Sequence, residues 1–238
     1  MWRFLGAWRL RALGGVRVRR VRTLASGGGG MQYRRAVQRL RRLAETCDQT
    51  RRVAAAEPFL RAAYVFGGLL EGADPVDALE VVLVLNLPPE EVTWGSQPPG
   101  TAWLVDFLEL DKGGITYWWR SRRDPVWNHH IREPVRFWSV EEGTDQDVLD
   151  ALRDRRAGLL RRETPGGDQD VRARTAEELE AALEHLREVH RSYWDRKWRR
   201  DHRGIGRYPE HHLWEAVEGY LELLDAVGED AEGGGAPR

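Results

Sequence analysis

The chain has 238 residues, enough for one large domain or two small ones that bury about 70% of the unfolded surface without covalent staples. Lys and Arg total 37 against 38 Asp and Glu, which excludes a global field toward nucleic acid or anionic lipid and leaves only local basic surfaces. The single cysteine, Cys47, excludes an internal disulfide and a Cys-rich zinc module, and no stretch approaches the roughly 18 apolar residues of a membrane span, so the expected setting is the cytoplasm.

Residues 1–30 contain seven arginines and no acid, and end in four glycines. Arginines interrupt every apolar run that could serve a secretory signal. The stretch reads as an unfolded basic extension translated from upstream of a working start at Met31, with a mitochondrial-type transit peptide as the alternative. From Met31, Val37, Leu40, Leu43, Ala44, Cys47 and Ala54 recur at helical spacing, which predicts an amphipathic helix ending before Pro58. Cys47 falls on its apolar stripe and reads as core.

Strands are expected at 60–66 and 79–86. Residues 79–85, LEVVLVL, carry one polar side chain, Glu80, and are rich in β-branched residues, so this run reads as a central strand buried on both faces. Between the two runs lie Gly67-Gly68 and a turn through Gly72, Asp74 and Pro75, at an end of the sheet where ligand sites tend to lie. Residues 102–110 and 115–119 flank Asp111-Lys112-Gly113-Gly114 and predict a hairpin. Prolines 125 and 134 predict extended, interrupted backbone over 124–138. Beyond it, Thr144 is the expected cap of a helix through about residue 160, with Leu159 and Leu160 inward. Thr175 with Glu178 forms a capping-box pattern for a long helix whose stripe is Leu179, Leu183, Leu186, His190 and Tyr193. A last helix starts near Pro209 and runs to Gly228, and 229–238 reads as an unfolded tail. The fold class is therefore α+β: an N-terminal helix, a small mixed sheet and a three-helix C-terminal part. The expectation is a single domain over 31–228, with a sheet part at 31–140 and a helical part at 144–228.

Three constellations bear on chemistry. Residues 64–85 resemble the signature of the nucleotidyltransferase superfamily, in which a strand, a Gly-Gly or Gly-Ser turn, a carboxylate pair on the next strand and a third carboxylate on a later one hold Mg²⁺ for phosphoryl transfer. Gly67 and Gly68 match the turn, Asp77 and Glu80 lie where the pair would be, and Asp106 stands for the third. The family's pair is two residues apart. Asp77 and Glu80 are three apart and would point to opposite faces of a regular strand, so the resemblance implies a non-catalytic relative, with an active Mg²⁺-dependent transferase as the alternative.

The second constellation, Trp127-Asn128-His129-His130, completes a candidate ligand pocket with Gly67, Gly68, Asp77, Glu80 and Asp106. Adjacent histidines diverge in extended backbone and none has the i, i+4 spacing of a zinc helix, so structural hydrogen bonding is expected in place of metal binding or catalysis. The third is YWDRKWRRDHRGIGR at 193–207, basic with interleaved aromatics. It reads as a base-enriched helix end, with single-stranded nucleic acid as the alternative partner. Eleven tryptophans suit core filling as well as binding surfaces.

Over the whole length from Met31 to about Val227, the strings MQYRRAVQRLRRLAETC, WWRSRRDPVWNHHIREPVRFW and LWEAVEGYLELLDA resemble a family of actinobacterial proteins classed as a domain of unknown function. That resemblance implies Met31 as the natural boundary and a bacterial cytoplasm, and supplies no activity, catalytic residue or cofactor. The reading is a binding or regulatory domain with no catalytic or metal-ligating residue, no cofactor unless the Mg²⁺ alternative holds, no membrane contact, and a partner left unknown, with a protein partner and nucleic acid both open and nucleic acid not favoured.

Overall fold

The computed structural model describes residues 30–53, 58–203 and 208–233. Helix α1 (Tyr33–Val53) is followed by strands β1 (Leu60–Phe66) and β2 (Leu79–Leu85), helix α2 (Ala102–Phe107), strands β3 (Ile115–Ser121), β4 (Val135–Ser139) and β5 (Gly143–Thr144), and helices α3 (Gln146–Arg153), α4 (Asp168–Ser192), α5 (Arg196–Asp201) and α6 (Pro209–Gly233). The strands form one sheet in the order β3-β2-β1-β4-β5. β2 and β3 run parallel and the other pairs antiparallel, so the sheet is mixed and the expected α+β class is observed. The expectation for 1–29 lies outside the described residues.

The alternation of each strand divides the sheet into two faces. Val65, Val81, Leu83, Leu85, Tyr117 and Trp119 pack with Leu40, Leu43, Ala44 and Cys47 of α1, with Leu104, Val105 and Leu108 of the α2 segment, and with Leu149 and Leu152 of α3. Cys47 is therefore core, and burial raises its thiol pKa far above the ordinary range. Tyr64, Phe66, Val82, Val84 and Trp118 face the other way, against Trp94, Val126, Ile131, Ala182 of α4 and Leu223 of α6. The run at 79–85 is buried on both faces as its composition requires, but the middle position of the five belongs to β1.

Several local expectations are corrected. The run at 102–110 is not a strand: α2 occupies 102–107, because Leu104, Val105 and Leu108 share one helical face toward the core. Asp111 to Gly114 consequently link a helix to β3, and the parallel pairing of β3 with β2 replaces the hairpin. Asp145, not Thr144, caps α3, its carboxylate accepting from the Val148 N–H. Thr144 instead donates to Asp48 of α1, and Leu159 is 77% exposed after α3 has ended. Helix α4 begins at Asp168, so Thr175 lies inside it and its hydroxyl bonds back to the Val171 carbonyl. Its buried stripe is Val171, Thr175, Glu178, Ala182 and Val189, with His190 exposed. A short helix, α5, adds a fourth element to the expected three C-terminal helices, and α6 continues past Gly228 to Gly233 into the segment expected to be unfolded.

Helix α6 closely approaches the loop between β2 and α2 at one point. A Cβ on Gly219 would meet the Trp94 carbonyl oxygen and lie 3.3 Å from Gly95 Cα, so glycine is required there by backbone proximity. The Gln97 N–H donates to Glu215 Oε2 of the same helix at 3.2 Å.

Candidate functional site

The glycine turn after β1 meets the first residues of β2. Gly67 holds φ +68, in the left-handed region, and the space a Cβ would take there is filled by the Glu80 carboxylate. The Gly68 N–H donates to Glu80 Oε2 at 3.4 Å. Register places Glu80 opposite Phe66 on β1 and beside Thr116 on β3, so the row across the sheet reads Phe66, Glu80, Thr116. One carboxylate stands in this row.

The remaining acids lie elsewhere. Asp77 is exposed in the segment before β2. Asp106 is exposed on α2, and α2 packs on the face of Val81 and Leu83, whereas Glu80 shares the face of Val82 and Val84. The sheet therefore separates Asp106 from Glu80. Among the described residues, no group of three or more His, Cys, Asp or Glu side chains is placed to hold a metal ion.

The structure does bring His130 to the glycine turn's neighbours. Its ring lies 5.7 Å from that of Phe66, edge-on, and 4.8 Å from that of Trp118. Trp94 is 6.0 Å from His130 and 5.1 Å from His129. Asn128 shapes this loop: its Oδ1 accepts from the His130 and Ile131 N–H groups at 3.0 and 2.8 Å, which turns the backbone and leaves the two imidazoles 6.4 Å apart, both within Trp94's reach. Trp127 is half-buried on the same loop.

Behind His129 lies a buried charged cluster. Glu178 of α4, 6% exposed, accepts from Arg120 Nη1 at 2.6 Å, Arg174 Nε at 2.8 Å and Asn128 Nδ2 at 2.8 Å. Arg120, 3% exposed on β3, also gives its Nε and Nη2 donors to the Pro125 carbonyl at 3.0 and 2.7 Å. Arg174 completes the cluster with Asp124 at 3.0 Å. Burial pushes the Glu178 carboxyl upward, but the guanidinium groups of Arg120 and Arg174 and the bonds from Asn128 and Arg120 outweigh it, so its pKa falls below the usual range. His129 sits beside this cluster with Nδ1 3.9 Å from Glu178 and Nε2 3.8 Å from Glu222. Both distances exceed a hydrogen bond, and both ring nitrogens are buried without a partner.

Of the residues singled out in the sequence, Glu80, Gly67, Gly68 and His130 thus gather at one end of the sheet. Asn128 and His129 belong to the charged cluster, and Asp77 and Asp106 to neither. Arg120, Arg174, Asp124 and the buried role of Glu178 escaped the sequence reading. The available signal was Arg120 itself, a charge inside ITYWWRS, which must find a partner if both flanks are buried.

A groove of about 870 Å³ opens elsewhere, between the start of α1 and the end of α3, lined by Arg34, Arg41, Asp74, Arg153 and Arg155 among others. The Asp74 carboxylate accepts from the Tyr33 N–H and Arg155 Nη2, so the positive start of α1 already holds an acid.

A solved structure titled as that of a "putative nucleotidyltransferase" from Sulfolobus solfataricus is similar over 51% of this chain and 98% of its own, at 18% identity and a TM-score of 0.29, a likeness that carries no argument about activity. No curated protein matches. A family model described as a domain of unknown function, DUF7711, matches residues 31–229, and the chain belongs to that family.

Proposed function

We propose that the chain is a non-catalytic binding or regulatory domain built on a sheet of the nucleotidyltransferase kind. The observation that carries this reading is the fate of the three acids at the glycine turn. Glu80 folds back onto Gly67-Gly68, Asp77 stays in the preceding loop, and the sheet lies between Asp106 and Glu80. Phosphoryl transfer on such a sheet needs hard oxygen ligands converging on one face, and one carboxylate beside Thr116 and Phe66 does not supply them. The turn keeps its glycines and one acid, and the half-buried His130 beside Phe66 and Trp118 is the side chain that a ligand at this end of the sheet would meet.

The test is the thermal stability of the full chain titrated with ATP, with and without Mg²⁺, alongside E80Q and an assay for released pyrophosphate. The expected result is no pyrophosphate and no difference between the Mg²⁺ and metal-free titrations. Stabilisation that requires Mg²⁺ and disappears in E80Q, or any turnover, overturns the proposal in favour of a Mg²⁺-dependent transferase.

A further inference from the structure

Helix α6 keeps its inner side, Ala216, Gly219 and Leu223, against the sheet and α4. Its outer side is not polar. Trp214 is 54% exposed, Leu221 48% and Leu224 42%, with half-buried Val217 between them. These four positions follow the 3-4-3 spacing by which one helix packs along another, in a stripe of about 15 Å at the rise of an α-helix.

The two ends of this stripe carry opposite charge. From residue 208 to 233 there is no Lys or Arg, and Asp225 and Glu229 are exposed beyond Leu224. At the other end α5 presents Arg196, Lys197 and Arg200 to solvent, the last two sharing Asp201 of the same helix at 3.3 and 3.6 Å, which leaves this end net positive. This basic element is fixed to the start of α6: Arg199 pairs with Glu210 at 2.7 Å, and the His202 ring stacks on Trp198 at 4.1 Å and meets the His212 ring edge-on at 4.9 Å.

We infer that the outer face of α6 is an interface with a second copy of this chain, the two α6 helices running antiparallel about a two-fold axis near residue 219. In that arrangement Trp214 of each copy meets Leu224 of the other and Val217 meets Leu221. The basic α5 end of each copy then lies over the acidic end of the other. A parallel pairing would set like charges together at both ends. Two-fold closure uses the same patch on both copies and leaves none exposed. A single stripe of four side chains is small against the roughly 800 Å² per partner of a standard interface, so the dimer belongs to the weak, concentration-dependent class.

Sedimentation equilibrium of the full chain tests this. A dimer is expected that weakens about tenfold when salt rises from about 0.1 to 1 M, because the charged ends are exposed to screening. L221E and L221Q are each expected to be monomeric about tenfold above the wild-type Kd, with unchanged far-UV circular dichroism. W214C and L224C cross-link under oxidation when mixed but not when each is alone, Cys47 being buried. A wild-type chain that stays monomeric at about 100 µM, or a dimer indifferent to both Leu221 variants, overturns the interface. Cross-linking of W214C with itself overturns the antiparallel arrangement.

Discussion

Toward α1, α2 and α3 the sheet presents Val65, Val81, Leu83 and Leu85, and the packing on that side is mainly apolar, with polar bonds such as those of Asp48 to Trp138 and Thr144 at its border. Toward α4 and α6 it presents Tyr64, Val82 and Trp118 along with Arg120, and that side is closed by a carboxylate, two guanidinium groups and an amide bonded to one another. The first face is held by area removed from water, a term that tolerates changes of shape at moderate cost. The second is held by groups that are stable only together, since each charge left without its partner in a buried setting is expensive. The helical layer over the glycine turn is thus attached by a joint more sensitive to single substitutions than the core beneath α1.

The contrast is broken most strongly by removing the central acid. E178A leaves Arg120 buried without its carboxylate and is expected to cost about 4 kcal/mol, measured by urea denaturation; a loss under about 1 kcal/mol would show that water reaches the cluster freely. On the other face L83A removes a fully buried side chain and should cost about 3 kcal/mol through lost transfer energy and the cavity left behind. G219A drives a Cβ into the Trp94 carbonyl and Gly95, and an overpacked contact of this kind costs about 2 kcal/mol. Because that strain falls on α6, amide exchange should accelerate in α6 and loop 93–97 while α1 remains protected.

Acid separates the two faces more gently. Burial lowers the His185 pKa below its ordinary 6.5, partly offset by Glu215 and Glu188, so its contribution is fully present above pH 6.5 and lost as pH falls through the folded-state pKa. The Glu178 pKa lies below its ordinary 4.5, so its contribution is present above pH 4.5 and lost as pH falls further. Stability should therefore decline in two stages on acidification. H185N should flatten the stage just below pH 6.5 and E178Q the stage below pH 4.5, as read from unfolding midpoints across pH.

The parts of this architecture that could be read in advance are those fixed by local pattern. Helix α1 follows its apolar stripe, and β2 follows an unbroken β-branched run. Residues 102–107 could not be assigned by the same means, since a short apolar run satisfies a strand and a buried helix equally, and the choice was made by contact with α1's side of the sheet. Glu178 was misread for a related reason. Thr175 and Glu178 stand at the spacing of a helix cap, but the partners that fix Glu178, Arg120 and Asn128, lie 58 and 50 positions away. At the glycine turn the residue types were legible, whereas the separation of Asp106 from Glu80 depends on which face α2 covers.

The joint between the sheet and the helical layer is tested most directly by a double-mutant cycle between Arg120 and Glu178, using methionine at both positions and urea denaturation as the readout. Each single variant should lose about 3 to 5 kcal/mol, while the double variant should recover most of that loss because no unpaired charge remains. Additive losses in the double variant would contradict the account, and would mean that the two side chains act independently and the helical layer is held by its apolar contacts alone.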